Sequence, residues 1–221
     1  MKNPAGRGGR WVEIAPERLP RWAESFTERH DGASATAGDA VVTLTAVDGA
    51  VAELHPPFPP VPGLASAAPE TLMDVVVAHA LAPRTTGVLL VRLGGYAAGV
   101  FAGSPPGLVA SKTGSRNVHG RSAAGGWSQQ RFARRREKQV SEALKSAADA
   151  AAGVFSAHSL DAVVLGGDKR TMAPLRDDPR LAPYLALATD RFLTVPDPRL
   201  AVLKATPAAF TAIRAWLPDP A

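Results

Sequence analysis

The chain alternates between stretches with a two-residue hydrophobic period and stretches with a 3.6-residue period, the patterns of strands and helices. Residues 1–10 carry mostly Gly, Arg and Pro and predict a flexible N-terminus. Trp11–Ile14 predicts a short strand. Pro16 opens a predicted helix to about His30, since proline suits a first helical turn, and Asp31-Gly32 closes it. Val41–Val47 and Val51–Leu54 flank Asp48-Gly49, a hairpin signal. Residues 56–69 are Pro-rich and read as an ordered loop or linker rather than as a polyproline ligand. Glu70–Leu81 predicts a helix with Leu72, Val75, Val76 and His79 near one face.

Gly87–Leu93 (GVLLVRL) is an apolar run between turn signals, which predicts a buried central strand. Gly94-Gly95 turns the chain into Tyr96–Ala102, and Leu108–Thr113 follows, so three short strands form a meander. Residues 114–126 are a Gly/Ser/Arg loop. A long helix is predicted from Trp127 or Ser128 to Phe155, with Phe132, Val140, Leu144, Ala148, Ala151 and Phe155 at helical spacing. Leu160–Leu165 predicts another buried strand, Lys169–Leu175 and Pro179–Ala188 two helices, Arg191–Val195 a last strand and Pro207–Leu217 a last helix. Strands in a run and then alternating with helices predict an α/β sheet covered by helices. At 221 residues, a single domain over 11–221 is expected.

Composition narrows the chemistry. There is no cysteine, which removes disulfides, thiolate metal sites and thiol nucleophiles. No apolar run is long enough to span a membrane, and the N-terminus lacks the apolar core of a secretory signal. A cytoplasmic protein with no membrane partner is expected. The net charge is +5, but residues 112–138 alone carry +7 and the rest of the chain −2. One segment is basic; the protein is not.

That segment, Ser111–Gln139, is a strand, a loop and a helix start. The loop carries Arg116, His119 and Arg121, and Lys112 precedes it on the strand. Arg131, Arg134, Arg135 and Lys138 recur at three- and four-residue spacing and so share one helix face, opposite Phe132 and Val140. A guanidinium fork matches phosphate geometry, and such a stripe suits a nucleic-acid backbone. Trp127 offers a stacking surface for a base. An arginine-rich helix face is also commonly just a solvated face. What singles this one out is its convergence with the glycine loop and the glutamines. Other chemistries find no support. There is no phosphate-binding P-loop motif and no serine nucleophile elbow. His30, His55, His79, His119 and His158 have no metal spacing. Asp161 and Asp168 flank a strand and read as turn and cap residues. No metal and no cofactor are expected.

Residues 86–155 resemble the catalytic domain of archaeal and eukaryotic class-1 peptide release factors, and most closely the release-factor-like family of actinobacteria. The resemblance is carried by His119-Gly120-Arg121, Gly125-Gly126-Trp127-Ser128-Gln129-Gln130 and Arg131-Phe132-Ala133-Arg134-Arg135-Arg136. It implies an RNase H-like mixed sheet with the long helix after a Gly-Gly-x-x-Gln loop. It also implies kinship with the tRNA hydrolases of ribosome-associated quality control. The family's Gly-Gly-Gln places its glutamine on Trp127 here, and a glutamine arrives only at Gln129. The quality-control relatives, with a Gly-Gly-x-Gln-like loop, are the nearer match. The implied catalytic set is therefore Gly125, Gly126 and Gln129, with Gln130 in reserve.

The implied activity is hydrolysis of peptidyl-tRNA on stalled ribosomes or large subunits, with water positioned by the loop glutamine. The implied partners are the large ribosomal subunit and peptidyl-tRNA, not DNA. Two alternatives stand beside it: cleavage of the tRNA 3′ end, and a non-catalytic ribosome- or RNA-binding factor.

Overall fold

A computed structural model of the chain describes residues 8–115 and 128–219, for 128–137 as backbone alone. The elements begin with β1 (Gly9–Ile14), α1 (Leu19–Arg29), β2 (Ala33–Ala37), β3 (Val42–Ala46), β4 (Val51–His55) and α2 (Leu72–Ala80). They continue with β5 (Thr86–Arg92), β6 (Gly95–Ala102), β7 (Gly107–Ser115), α3 (Ser128–Phe155), β8 (Ala162–Gly167) and α4 (Lys169–Met172). The last are α5 (Ala182–Leu185), β9 (Ala188–Leu193), α6 (Leu200–Lys204), α7 (Thr206–Thr211) and β10 (Ile213–Pro218). Where the sequence suggests one domain and one sheet, these elements gather into two compact units with a five-stranded sheet each. The described residues of the first are 8–82 with 207–219; the second comprises 83–206.

The first unit is an antiparallel sheet in the order β1-β10-β4-β3-β2, one face of which is covered by α1 and α2. Its core joins Ile14, Leu44, Leu54, Ile213 and Ala215 from the strands to Leu19, Phe26, Leu72 and Val76 from the helices. The Asp48-Gly49 turn closes the β3–β4 hairpin, with the Asp48 carboxylate accepting from the Ala50 N–H at 2.9 Å. The Pro-rich loop packs into this unit. Val61 and Leu64 are buried in the core, and the His79 ring Nε2 on α2 lies 3.0 Å from the Phe58 carbonyl oxygen. His79 thus holds down the loop that shares its core.

Two expectations are corrected here, and one strand is added. β1 begins at Gly9, so the last residues of the expected flexible N-terminus are paired, Gly9 opposite Pro218. Residues 207–217 are not one helix. Only α7 is helical, and 213–218 form β10, the strand between β1 and β4. Ile213, Ala215 and Leu217 alternate into the core, a two-residue period that the alanine-rich text before it obscures. β2 was not foreseen, because Ala33, Ala35 and Ala37 alternate correctly but give a weak hydrophobic signal.

The second unit is a mixed sheet in the order β7-β6-β5-β8-β9. β5, β6 and β7 form the antiparallel meander, while β8 runs parallel to β5 and β9 parallel to β8. β5 is the central strand, and every residue but Arg92 is buried. On one face α3 lies over β6 and β7. Leu89, Val91, Ala98 and Val100 of the sheet meet Ala147, Ala148, Ala151 and Phe155 of the helix. The turn after β8 needs Gly167. Its φ is +107°, and a Cβ would run into the Val91 carbonyl. The last strand of this unit, β9, lies at 188–193, three residues before its expected start, and α6 adds a helix that the sequence pattern does not signal.

Candidate functional site

β7 brings the chain to the edge of the second sheet and ends at Ser115; α3 resumes it at Ser128. These two elements flank the basic loop and pack beside each other. Lys112 lies on β7 opposite Ala98 and is exposed. Gln129 and Gln130 are the second and third residues of α3, and Arg131, Arg134 and Arg135 follow within its first turns. Lys138 is exposed on the same helix. Arg116, His119, Arg121, Gly125, Gly126 and Trp127 lie outside the described residues.

The helix has two different halves. From Ala147 to Phe155 it is anchored by buried alanines and by Phe155, whose ring meets Tyr184 edge-on at 5.3 Å. Small side chains let a helix approach a sheet closely, and Ala148 and Ala151 do so here. From Lys138 to Ser146 each residue is partly or fully exposed. Val140 and Leu144 already meet the sheet side, so the stretch ahead of them, Ser128 to Gln139, is 12 residues, or about 18 Å of helix at 1.5 Å per residue. The helix therefore has a buried foot and a long basic arm. Arg180 braces the foot, pairing with Asp149 of α3 and, at 2.5 Å, with Asp178. The Arg180 guanidinium holds the Asp178 carboxyl below its ordinary value.

At the base of the arm is a cavity of about 260 Å3. Val91, Tyr96, Gly114, Val140, Leu144 and Thr171 contribute to its walls. Gly114 leaves space for the Tyr96 ring, which lies across the strand: a Cβ there would lie 2.6 Å from the Tyr96 hydroxyl. No sequence motif marks this cavity; the Gly94-Gly95-Tyr96 turn was its only trace. Among the described residues no three of His, Asp and Glu are grouped to hold a metal ion.

Asp168 caps α4 rather than facing a reacting group. Its Oδ2 accepts from the Thr171 hydroxyl at 2.6 Å and from the Thr171 N–H at 2.8 Å. The hydroxyl bond above all, and then the N–H, hold the carboxyl below its ordinary value of 3.8. A carboxyl lowered in the folded state contributes stability above pH 3.8 that is lost as pH falls through its folded value. Asp168→Asn keeps an acceptor and removes the titration. Its thermal midpoint is expected to fall less than that of the wild type as pH drops from about 5 to about 2, read by circular dichroism.

Comparison with known proteins places the second unit in context. A family model described as Actinobacteria/chloroflexi VLRF1 release factor matches residues 84–215, more than half of the chain. A solved structure, that of an archaeal translation termination factor, aRF1, is similar at 10% identity and a TM-score of 0.37. The similarity covers 91% of this chain and 66% of that one, so the chain spans just under two thirds of that factor's length. No curated protein matches the sequence. Among the described residues no helix is long and apolar enough to cross a membrane.

Proposed function

The chain belongs to the Actinobacteria/chloroflexi VLRF1 release factor family, and on that premise we propose that it hydrolyses peptidyl-tRNA in stalled ribosomes or large subunits. The observation that carries this reading is the coincidence of charge and shape. The +7 segment falls on one strand–loop–helix unit whose helix runs 12 residues, about 18 Å, before Val140 reaches the cavity wall. A near-neutral body with a basic arm suits insertion of one end among RNA phosphates while the body stays outside. The sheet order β7-β6-β5-β8-β9, with the parallel pair beside the meander, supports an RNase H-like description of the second unit.

The chemistry asked of the arm is modest. Water adds to the ester carbonyl carbon, and the bond to the ribose 3′ oxygen breaks. That oxygen leaves with a proton, and the peptide gains a carboxyl group. The Gln129 amide has an N–H group to donate to the developing oxyanion and a carbonyl to accept from the attacking water. Gly125 and Gly126 allow backbone close to the ester. Arg131, Arg134, Arg135 and Lys138, with Lys112, Arg116, His119, Arg121 and Trp127, serve to hold the tRNA end and ribosomal RNA. Catalysis is by positioning and hydrogen bonding, with no covalent intermediate.

The test is the fate of the tRNA. Stalled large-subunit complexes incubated with the protein are expected to yield free peptide and tRNA ending in an intact CCA. A shortened tRNA would assign cleavage of the 3′ end instead. Charge reversal at Arg131, Arg134 and Arg135 together should weaken ribosome binding. It should also flatten the dependence of log K on log salt, by about 0.7–0.9 per lost phosphate contact. Co-sedimentation at a series of salt concentrations reads this. An unchanged slope makes the stripe a solvated face only.

A further inference from the structure

We propose that the cavity at the base of the α3 arm binds a single nucleotide, its base against Tyr96 and its phosphate on Lys112. The inference goes beyond the release reading and does not depend on it. At about 260 Å3 the cavity is smaller than the ~300–1,000 Å3 typical of pockets for drug-sized ligands, so one ring system with its sugar suits it. It sits at the carboxyl end of β5, which runs parallel to β8, and is closed by Thr171 after β8. Outside the carboxyl ends of parallel strands is where open α/β sheets commonly take ligands.

The walls have the chemistry of a base site. The Tyr96 ring lies across Gly114, where a Cβ would meet the end of the ring. Val140 and Leu144 of α3 supply an apolar wall. Ser115 and Thr171 line the same space, and their hydroxyl oxygens suit the polar edge of a base. Every base has a π-face, so stacking on Tyr96 binds without strong sequence preference. The phosphate partner follows from strand geometry. Lys112 is two residues before Gly114 on β7, on the same face of the sheet, about 7 Å along the strand. Lys112 is exposed and lies on the same sheet face as Tyr96, two residues along β7 from the position opposite it, a spacing that suits the phosphate of a base held at Tyr96.

The ligand chemistry is shared by an unpaired RNA nucleotide and a free nucleotide, and the test separates them. The full chain is titrated into a short single-stranded oligoribonucleotide carrying one 2-aminopurine, whose emission falls when the base stacks. Separately, the four nucleoside 5′-monophosphates are followed by saturation-transfer NMR. Quenching of the oligonucleotide is expected. Ala143→Phe, which fills the cavity from α3, and Tyr96→Leu should each weaken it about 5- to 150-fold, the loss expected of one base stack. Tyr96→Phe should retain it. Lys112→Ala should lower the salt slope of oligonucleotide binding by about 0.7.

Binding of monophosphates without the oligonucleotide assigns the cavity to a free nucleotide, and the reverse assigns it to RNA. Quenching that persists in both Ala143→Phe and Tyr96→Leu, or no binding of either probe, overturns the proposal. If Ala143→Phe does not fold, as circular dichroism reads, Tyr96→Leu decides. Because no ribosome is present, failure here leaves the release reading untouched, and failed release leaves this result standing.

Discussion

Gln129→Ala is expected to slow peptide release by about 10²–10³-fold, the cost of removing one donor that stabilises an oxyanion. Gln130→Ala should cost much less. The two glutamines are consecutive positions on the first turn of α3, about 100° apart around the helix axis. One of them only can face the ester when the arm is inserted. Binding to the stalled complex should be unchanged in both, since the basic residues proposed to hold RNA are intact. A single-turnover release time course on saturated complexes separates these effects from affinity. Equal and undiminished release in both variants would remove the glutamine mechanism. The converse pattern, with Gln130→Ala slow and Gln129→Ala normal, would move the role by one residue and leave the arm's function as it stands.

Phe155→Ala is expected to cost about 3–5 kcal/mol of stability, the range for a large buried aromatic side chain. Phe155 is 1% exposed and packs against Tyr184 and beneath Gly87. A Cβ on Gly87 would come within 3.2 Å of its ring, so the fit leaves little room for neighbours to relax into the gap. The residue closes the foot of α3. Losing it releases the lever that holds the arm. Chemical denaturation of the full chain checks the magnitude. A change below about 1 kcal/mol would mean that the foot is held by the alanines and by Arg180 instead.

The second sheet was largely legible in the sequence. GVLLVRL is apolar on both faces because β5 is flanked by β6 and β8 and covered on both sides, and its run of buried residues follows directly. Phe155, Ala148 and Ala151 read as one helix face and are buried together in the core. The first unit was harder. Its strand β10 comes from the C-terminal end of the chain and pairs with β1 and β4, contacts far apart in sequence. Local periodicity carries no record of such pairing, and alanine, common in both helices and weak strands here, blurs the pattern. The cavity beside Tyr96 left no motif in the sequence beyond the Gly94-Gly95 turn. It is made by elements from residues 91 to 171 meeting at one place, and no single one of them carries a motif. The charge of the arm, by contrast, is a property of one continuous segment, which is why it could be found by counting.

The central claim is that the basic arm frees a nascent chain by breaking the peptidyl-tRNA ester. The most direct measurement is single-turnover release from a purified stalled large-subunit complex. Peptide and tRNA 3′ end are followed together, with and without the wild-type protein. Release well above the protein-free rate is expected, in step with the appearance of tRNA bearing an intact CCA end. Protein that binds the complex in full and leaves the ester whole would contradict it.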